Sequence, residues 1–233
     1  MKKSIVAAVA ALLALALCGF ALAEAPTLTA QGIGIVRFDA DAASIMLGVR
    51  EVSEDVATAQ ATVNEKLAKV VTALKEAGVN ESDIQTSSIS LYPQYDYDQV
   101  SSPIVGYSAE NMITVTTTDI DSVGRYIDLA FEAGANTFND ISFSALDTSA
   151  QKARALELAV ENARAKAETI ASATGMKLGD IVRIAEGDDM YYGGDISYAK
   201  AEEADAAGGT QVYASRLQVS ATVTIEYSLV PAE

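Results

Sequence analysis

The sequence predicts an α+β fold: mostly antiparallel sheets with three helices packed on them, in the order β-β-α-β-β-α-β-α-β-β. Three observations predict it. A helical stretch ends in Ala-Gly or Thr-Gly and leads through a turn to Asp-Ile and a strand, at Ala77-Gly78 to Asp83-Ile84, Ala133-Gly134 to Asp140-Ile141 and Thr174-Gly175 to Asp180-Ile181. Glycine suits the position just past a helix because it enters the left-handed region without a Cβ clash. The C-terminal run from Leu217 to Leu229 alternates apolar and polar residues, the mark of a sheet covered on one face. Runs of strands interrupted by helices, rather than strict alternation, point to α+β.

The elements follow in order. Residues 28–38 and 43–52 read as two strands around a turn at Asp39-Ala40-Asp41. Val56, Val63, Leu67, Val70, Leu74 and Ala77 recur at helical steps, with Ser53 or Asp55 as N-cap. Strands are expected at 84–92 and 106–118. A short helix follows, with Val123, Ile127, Ala130 and Phe131 on one side and Asp119 or Asp121 as cap. Residues 140–146 read as a strand, and 148–174 as the longest helix, opened by Asp147-Thr148-Ser149. Its expected inner stripe is Ala153, Leu156, Val160, Ala163, Ala167 and Ile170, with Arg154–Glu157 and Arg164–Glu168 as surface ion pairs. Residues 180–185 and 217–229 complete the strands. Residues 96–105, with Pro103, read as an exposed loop, and the acidic, Gly- and Ala-rich stretch 187–211 as a flexible one.

Ahead of these lies a different kind of segment. Lys2 and Lys3 precede an apolar run that closes on Ala21-Leu22-Ala23, the plan of a signal peptide over residues 1–23. The protein is therefore expected to be exported, to the periplasm or beyond the cell, and to meet the membrane only through this segment if it stays uncleaved. Residues 24–233 form the domain, with room for two α+β subdomains. Cleavage removes Cys18, the one cysteine, so disulfides cannot hold the mature chain.

The full chain carries 16 basic and 32 acidic residues, a formal charge of −16. Loss of Lys2 and Lys3 leaves 14 against 32, or −18. Such a surface repels phosphate backbones, so no nucleic-acid partner is expected.

The residue types also bound the chemistry. The chain has no histidine, which excludes a Ser-His-Asp triad and histidine-bearing zinc sites. Gly32-Ile33-Gly34 lacks the third glycine of a dinucleotide fingerprint and reads instead as close packing inside a strand. Asp188, Asp189 and Asp195 do not have EF-hand spacing and read as a solvated acidic loop. Lys166 lies beside the inner stripe of the third helix and reads as a packing or ion-pair residue. No cofactor and no metal are expected.

One short motif stands out. "LYPQYDYD", residues 91–98, places three tyrosines around a proline. Here Tyr92 closes a strand, Pro93 stops its ladder, and Tyr95 and Tyr97 open the loop. Amphipathic rings at a sheet edge pack their bodies and leave their hydroxyls wet. Tyr92, Pro93, Tyr95, Tyr97 and Tyr107 are the candidate interaction surface.

The ordered set "SSISLYPQYDYD", "GYSAENMITVTTTDID", "AGAN", "ISFSALD", "ALELAVENARAKAETIASATG" and "VSATVTIEYSL" resembles the SIMPL domain family, also called DUF541, from about Leu28 to Leu229. The chain departs from the family at three turns: Ala40-Asp41-Ala42-Ala43, Ala214-Ser215 and Asp140. The resemblance implies an envelope or periplasmic protein linked to stress tolerance, and it brings no catalytic residue. The expectation is a non-enzymatic protein that self-assembles as a homo-oligomer or binds envelope partners. The long C-terminal strand offers an edge for that assembly. The alternative is a small-molecule or cation binding module built on the Tyr-rich and acidic loops, and a carboxylate-based hydrolase is the remote one.

Overall fold

The computed structural model describes residues 26–98, 101–187, 190–195, 209–214 and 216–232. The expected leader, Asp188 and Asp189 lie outside the described residues. The strands are β1 (Thr27–Asp39), β2 (Ala42–Ser53), β3 (Ile84–Tyr95), β4 (Ile104–Thr117), β5 (Thr137–Ser144), β6 (Met176–Glu186), β7 (Met190–Asp195) and β8 (Arg216–Pro231). The helices are α1 (Val56–Glu76), α2 (Val123–Glu132) and α3 (Ser149–Ala173). The expected order holds, with one strand added. Residues 190–195, expected inside a loop, pair antiparallel with the start of β8. The sequence Met-Tyr-Tyr-Gly-Gly-Asp lacks the alternation that marks a strand, so only the partner strand supplies its order.

The chain divides into two units. The first comprises the chain up to Gly34, Leu156–Asp188 and Thr222–Glu233. It holds most of a sheet in which β8 lies between β1 and β6. The C-terminal strand is therefore interior, not an assembly edge. Its alternation is as expected: Leu217, Val219, Ala221, Val223, Ile225 and Tyr227 are all buried.

The buried stripe of α3 differs from the expected one. It is Ala155, Ala159, Ala163, Ala167 and Ala171, spaced by four, while Ala153, Val160 and Ile170 are exposed. The reason is how closely the helix approaches β1. A Cβ on Gly32 would fall onto the Ala159 carbonyl oxygen and the Ala163 amide nitrogen. At that distance only alanine fits between helix and strand, so size overrides hydrophobicity in choosing the buried face.

The second unit comprises Ile35–Ala155 and Asp189–Ala221. Its sheet runs in the order β3-β4-β2-β5, antiparallel throughout. Ile45, Leu47 and Val49 of β2 and Ile113 and Val115 of β4 meet Val63, Leu67, Val70 and Leu74 of α1 and Val123, Ile127 and Ala130 of α2 in one core. Asp55 caps α1 by accepting from the Thr58 amide at 2.8 Å, which holds its carboxyl below its ordinary range. Phe131, expected on the inner side of α2, is exposed, and Tyr126 is buried instead. Gly78, Gly134 and Gly175 adopt positive φ after their helices, as the repeated turn required. β5 and β6 begin before the Asp-Ile pairs expected to start them, at Thr137 and Met176.

A short strap crosses α2. The Thr210 hydroxyl and amide donate to the Asp128 carboxylate at 2.6 and 3.0 Å. Val212 packs on the core, and the Thr210 carbonyl lies where a Cβ on Gly124 would be. Both donors favour the charged carboxylate and lower the Asp128 pKa, the hydroxyl most.

Two outcomes follow from this packing. Gly32→Val should force α3 off β1 and cost about 1–3 kcal/mol, read as a lower midpoint in urea unfolding with an unchanged slope. The Asp128 contact stabilises the strap fully above the unfolded carboxylate pKa of roughly 3.9 and loses it as pH falls through the lowered folded value. Hydrogen exchange in 209–214, corrected for intrinsic rates, should therefore rise on acidification, and Asp128→Ala should show that faster exchange already at pH 7.

Candidate interaction surface

β3 and β4 form a long hairpin at one side of the second unit. Their register pairs Ile89 with Asn111, Leu91 with Ala109, Tyr92 with Ser108 and Pro93 with Tyr107. Ala109 belongs to the core beneath the helices, so Ile89 and Leu91 lie on the helix-bearing face of the sheet. Yet Ile89 is 67% exposed and Leu91 44%. The helices pack over β2 and β4 and leave β3 outside them. On the opposite face of the sheet, Tyr92 is 63% exposed.

The strand does not end at Tyr92 as the sequence suggested. It passes through Pro93 to Tyr95, with a register shift at Gln94/Tyr95. β3 is the outermost strand of its sheet, and an edge strand tolerates proline because an outward-facing position needs no N–H in the ladder. The tip is closed by the Asp96 amide donating to the Pro103 carbonyl at 2.9 Å and by the Asp98 amide donating to the Asp96 side chain at 3.0 Å. Ser102 turns there with φ 42°. The Tyr95 and Tyr97 rings lie 6.1 Å apart with planes tilted by 47°, and Tyr97 is 80% exposed.

The structure thus brings Tyr92, Pro93, Tyr95, Tyr97 and Tyr107 onto one hairpin, with Pro93 and Tyr107 half-buried. Sequence reasoning missed Ile89, Leu91, Ile104 and Val105, which are also exposed there. A signal was available: the twelve residues of β3 contain no charged side chain, in a chain of net charge −16.

Three other outer strands, β1, β5 and β6, are protected. β6 carries Lys177, Asp180, Arg183 and Glu186 and two register shifts. β5 is short and carries Asp140. β1 is guarded by α3. The Ile33 amide donates to Asn162 Oδ1 at 3.1 Å, and Lys166 Nζ donates to the Gln31 carbonyl at 2.9 Å. Lys166 is therefore an edge guard rather than an ion-pair residue. Charges, bulges and covering helices are the usual means by which sheets avoid unwanted pairing.

No group of three or more Asp or Glu is placed to hold a metal ion among the described residues. No Asp or Glu among them is buried. Every resolved carboxylate shift runs downward and has a local cause. Glu65 and Glu81 lie against Lys69 and Lys75, while Asp147 accepts from Ser149. The Arg164–Glu168 pair expected on α3 forms at 2.8 Å and raises the arginine pKa.

A family model described as SIMPL, a protein of unknown function (DUF541), matches residues 28–227. The chain belongs to the SIMPL family. Relatives of this SIMPL chain include the 26 kDa periplasmic immunogenic protein of Brucella melitensis, 34% identical over 160 residues. That match covers 66% of the chain and spans 64% of the Brucella protein's length. The uncharacterized protein YggE of Escherichia coli K12 is 24% identical over 213 residues, covering 91% of the chain and 87% of YggE.

The edge guard is open to a direct check. In the Asn162→Ala, Lys166→Ala double variant the helix should still form, but agitation should yield dye-binding aggregates faster than in the wild type. Equal aggregation lag times would show that the two side chains do not protect β1.

Proposed function

We propose that this SIMPL chain is a non-enzymatic protein of the cell envelope that acts by associating with copies of itself. The observation that carries this reading is the uncharged edge strand β3, which exposes Ile89, Leu91, Tyr92 and Tyr95 on an acidic protein. Two strongly negative surfaces repel, so copies meet most readily where neither carries charge. Rigid tyrosines give contact area at low entropic cost. The leader pattern and the periplasmic name of the Brucella relative support an envelope location. Tolerance of envelope or oxidative stress is the setting that the family resemblance implies for such an assembly.

Size-exclusion chromatography with light scattering on residues 24–233 tests the reading. An oligomer is expected at micromolar concentration. Leu91→Ala and Tyr92→Ala should each weaken it by about tenfold, about 1.4 kcal/mol. A strictly monomeric wild type would sink the proposal.

A further inference from the structure

Self-association does not by itself say how two copies meet. Building on that reading, we propose that β3 pairs antiparallel with β3 of a second copy, so that two four-stranded sheets join edge to edge across a two-fold axis.

Four observations converge on this geometry. First, β3 is the terminal strand of its sheet, and among the described residues nothing hydrogen-bonds its outer edge. A strand edge is a row of backbone donors and acceptors that a second strand can satisfy. Second, it is the one outer strand without charge, with the β1, β5 and β6 edges guarded as above. In a two-fold contact each residue near the axis faces its own copy or a close neighbour, so any charge there would meet itself. Ile84 to Tyr95 offers no such clash.

Third, the side chains suit pairing on both faces. With Ser90 at the axis, Ile89 lies opposite Leu91 of the second copy on the helix-bearing face, and Ser88 lies opposite Tyr92 on the other. Aliphatic and aromatic cross-strand pairs of this kind are what stabilise a ladder. Fourth, the contact limits itself. Pro93 has no N–H to extend the ladder, and the register shift between Thr86 and Ser88 interrupts the strand at its other end. Pairing is thereby confined to residues 88–92, and each copy uses the outer edge of β3. The result is a closed pair of sheets rather than a growing fibre.

The mature chain lacks cysteine, so single cysteines report the contact cleanly. Oxidised Ser90→Cys is expected to form a disulfide-linked dimer in high yield, while Gln85→Cys, away from the axis, remains unlinked. A mixture of Ser88→Cys and Tyr92→Cys should link to each other more than to themselves. Ser90→Lys sets two ammonium groups against one another and should give monomer by light scattering at concentrations where the wild type is an oligomer. If the wild type self-associates but Ser90→Lys leaves it assembled and Ser90→Cys does not link, β3 pairing is overturned while self-association stands. If the wild type is monomeric, both fall. The cysteine variants keep the question decidable should Ser90→Lys fail to fold.

Discussion

The first unit depends on how near α3 can come to β1. Gly32 has no side chain, and Ala159 and Ala163 have almost none, so helix and strand backbones meet directly. Alanines bury little area each, but close contact along the whole stripe gathers many small dispersion gains. The same approach lets Asn162 and Lys166 reach the β1 backbone at Ile33 and Gln31. One steric fact therefore both packs the helix and closes a strand edge. It also explains why Val160 and Ile170 are left in solvent: the larger side chains would hold the helix away from the strand.

The second unit is built on the opposite principle. Its core is filled by branched side chains from β2, β4, α1 and α2, and its helices lie over β2 and β4. The uncovered part of that face is β3. Because no helix packs over β3, apolar residues that the alternation would assign to an interior are exposed instead. A surface of that kind, on a protein whose net charge otherwise keeps copies apart, has a physical reason to be an interface. The guarded edges at β1, β5 and β6 sharpen the contrast with β3, where strand addition is not opposed.

Much of the fold was legible in the residues. The alternation from Leu217 to Leu229 identified the longest strand and its buried face, and the spacing of Val63, Leu67, Val70 and Leu74 identified α1 and its stripe. Gly78, Gly134 and Gly175 marked where helices stop. The failures have a common cause. Apolarity points to Leu156, Val160 and Ile170 on α3, but the partner strand approaches closely at Gly32 and selects for smallness. Pro93 reads locally as a stop, and its tolerance depends on β3 being an edge strand. The strand at Met190–Asp195 carries no period of its own and owes its place to β8. The tyrosine motif was visible, whereas Ile89 and Leu91 were not, because exposure depends on which strands the helices cover.

By itself the sequence determined the elements, their order, the acidic charge and the absence of imidazole, since these follow from local periodicity and composition. Only the tertiary structure decided which strands are edges, which edges are blocked, and which apolar residues remain in water. Those are properties of neighbours far apart in the chain: Gln31 is guarded by Lys166, and Leu91 is bare because no helix reaches it. Edge and exposure are relations between elements, and no local pattern encodes them.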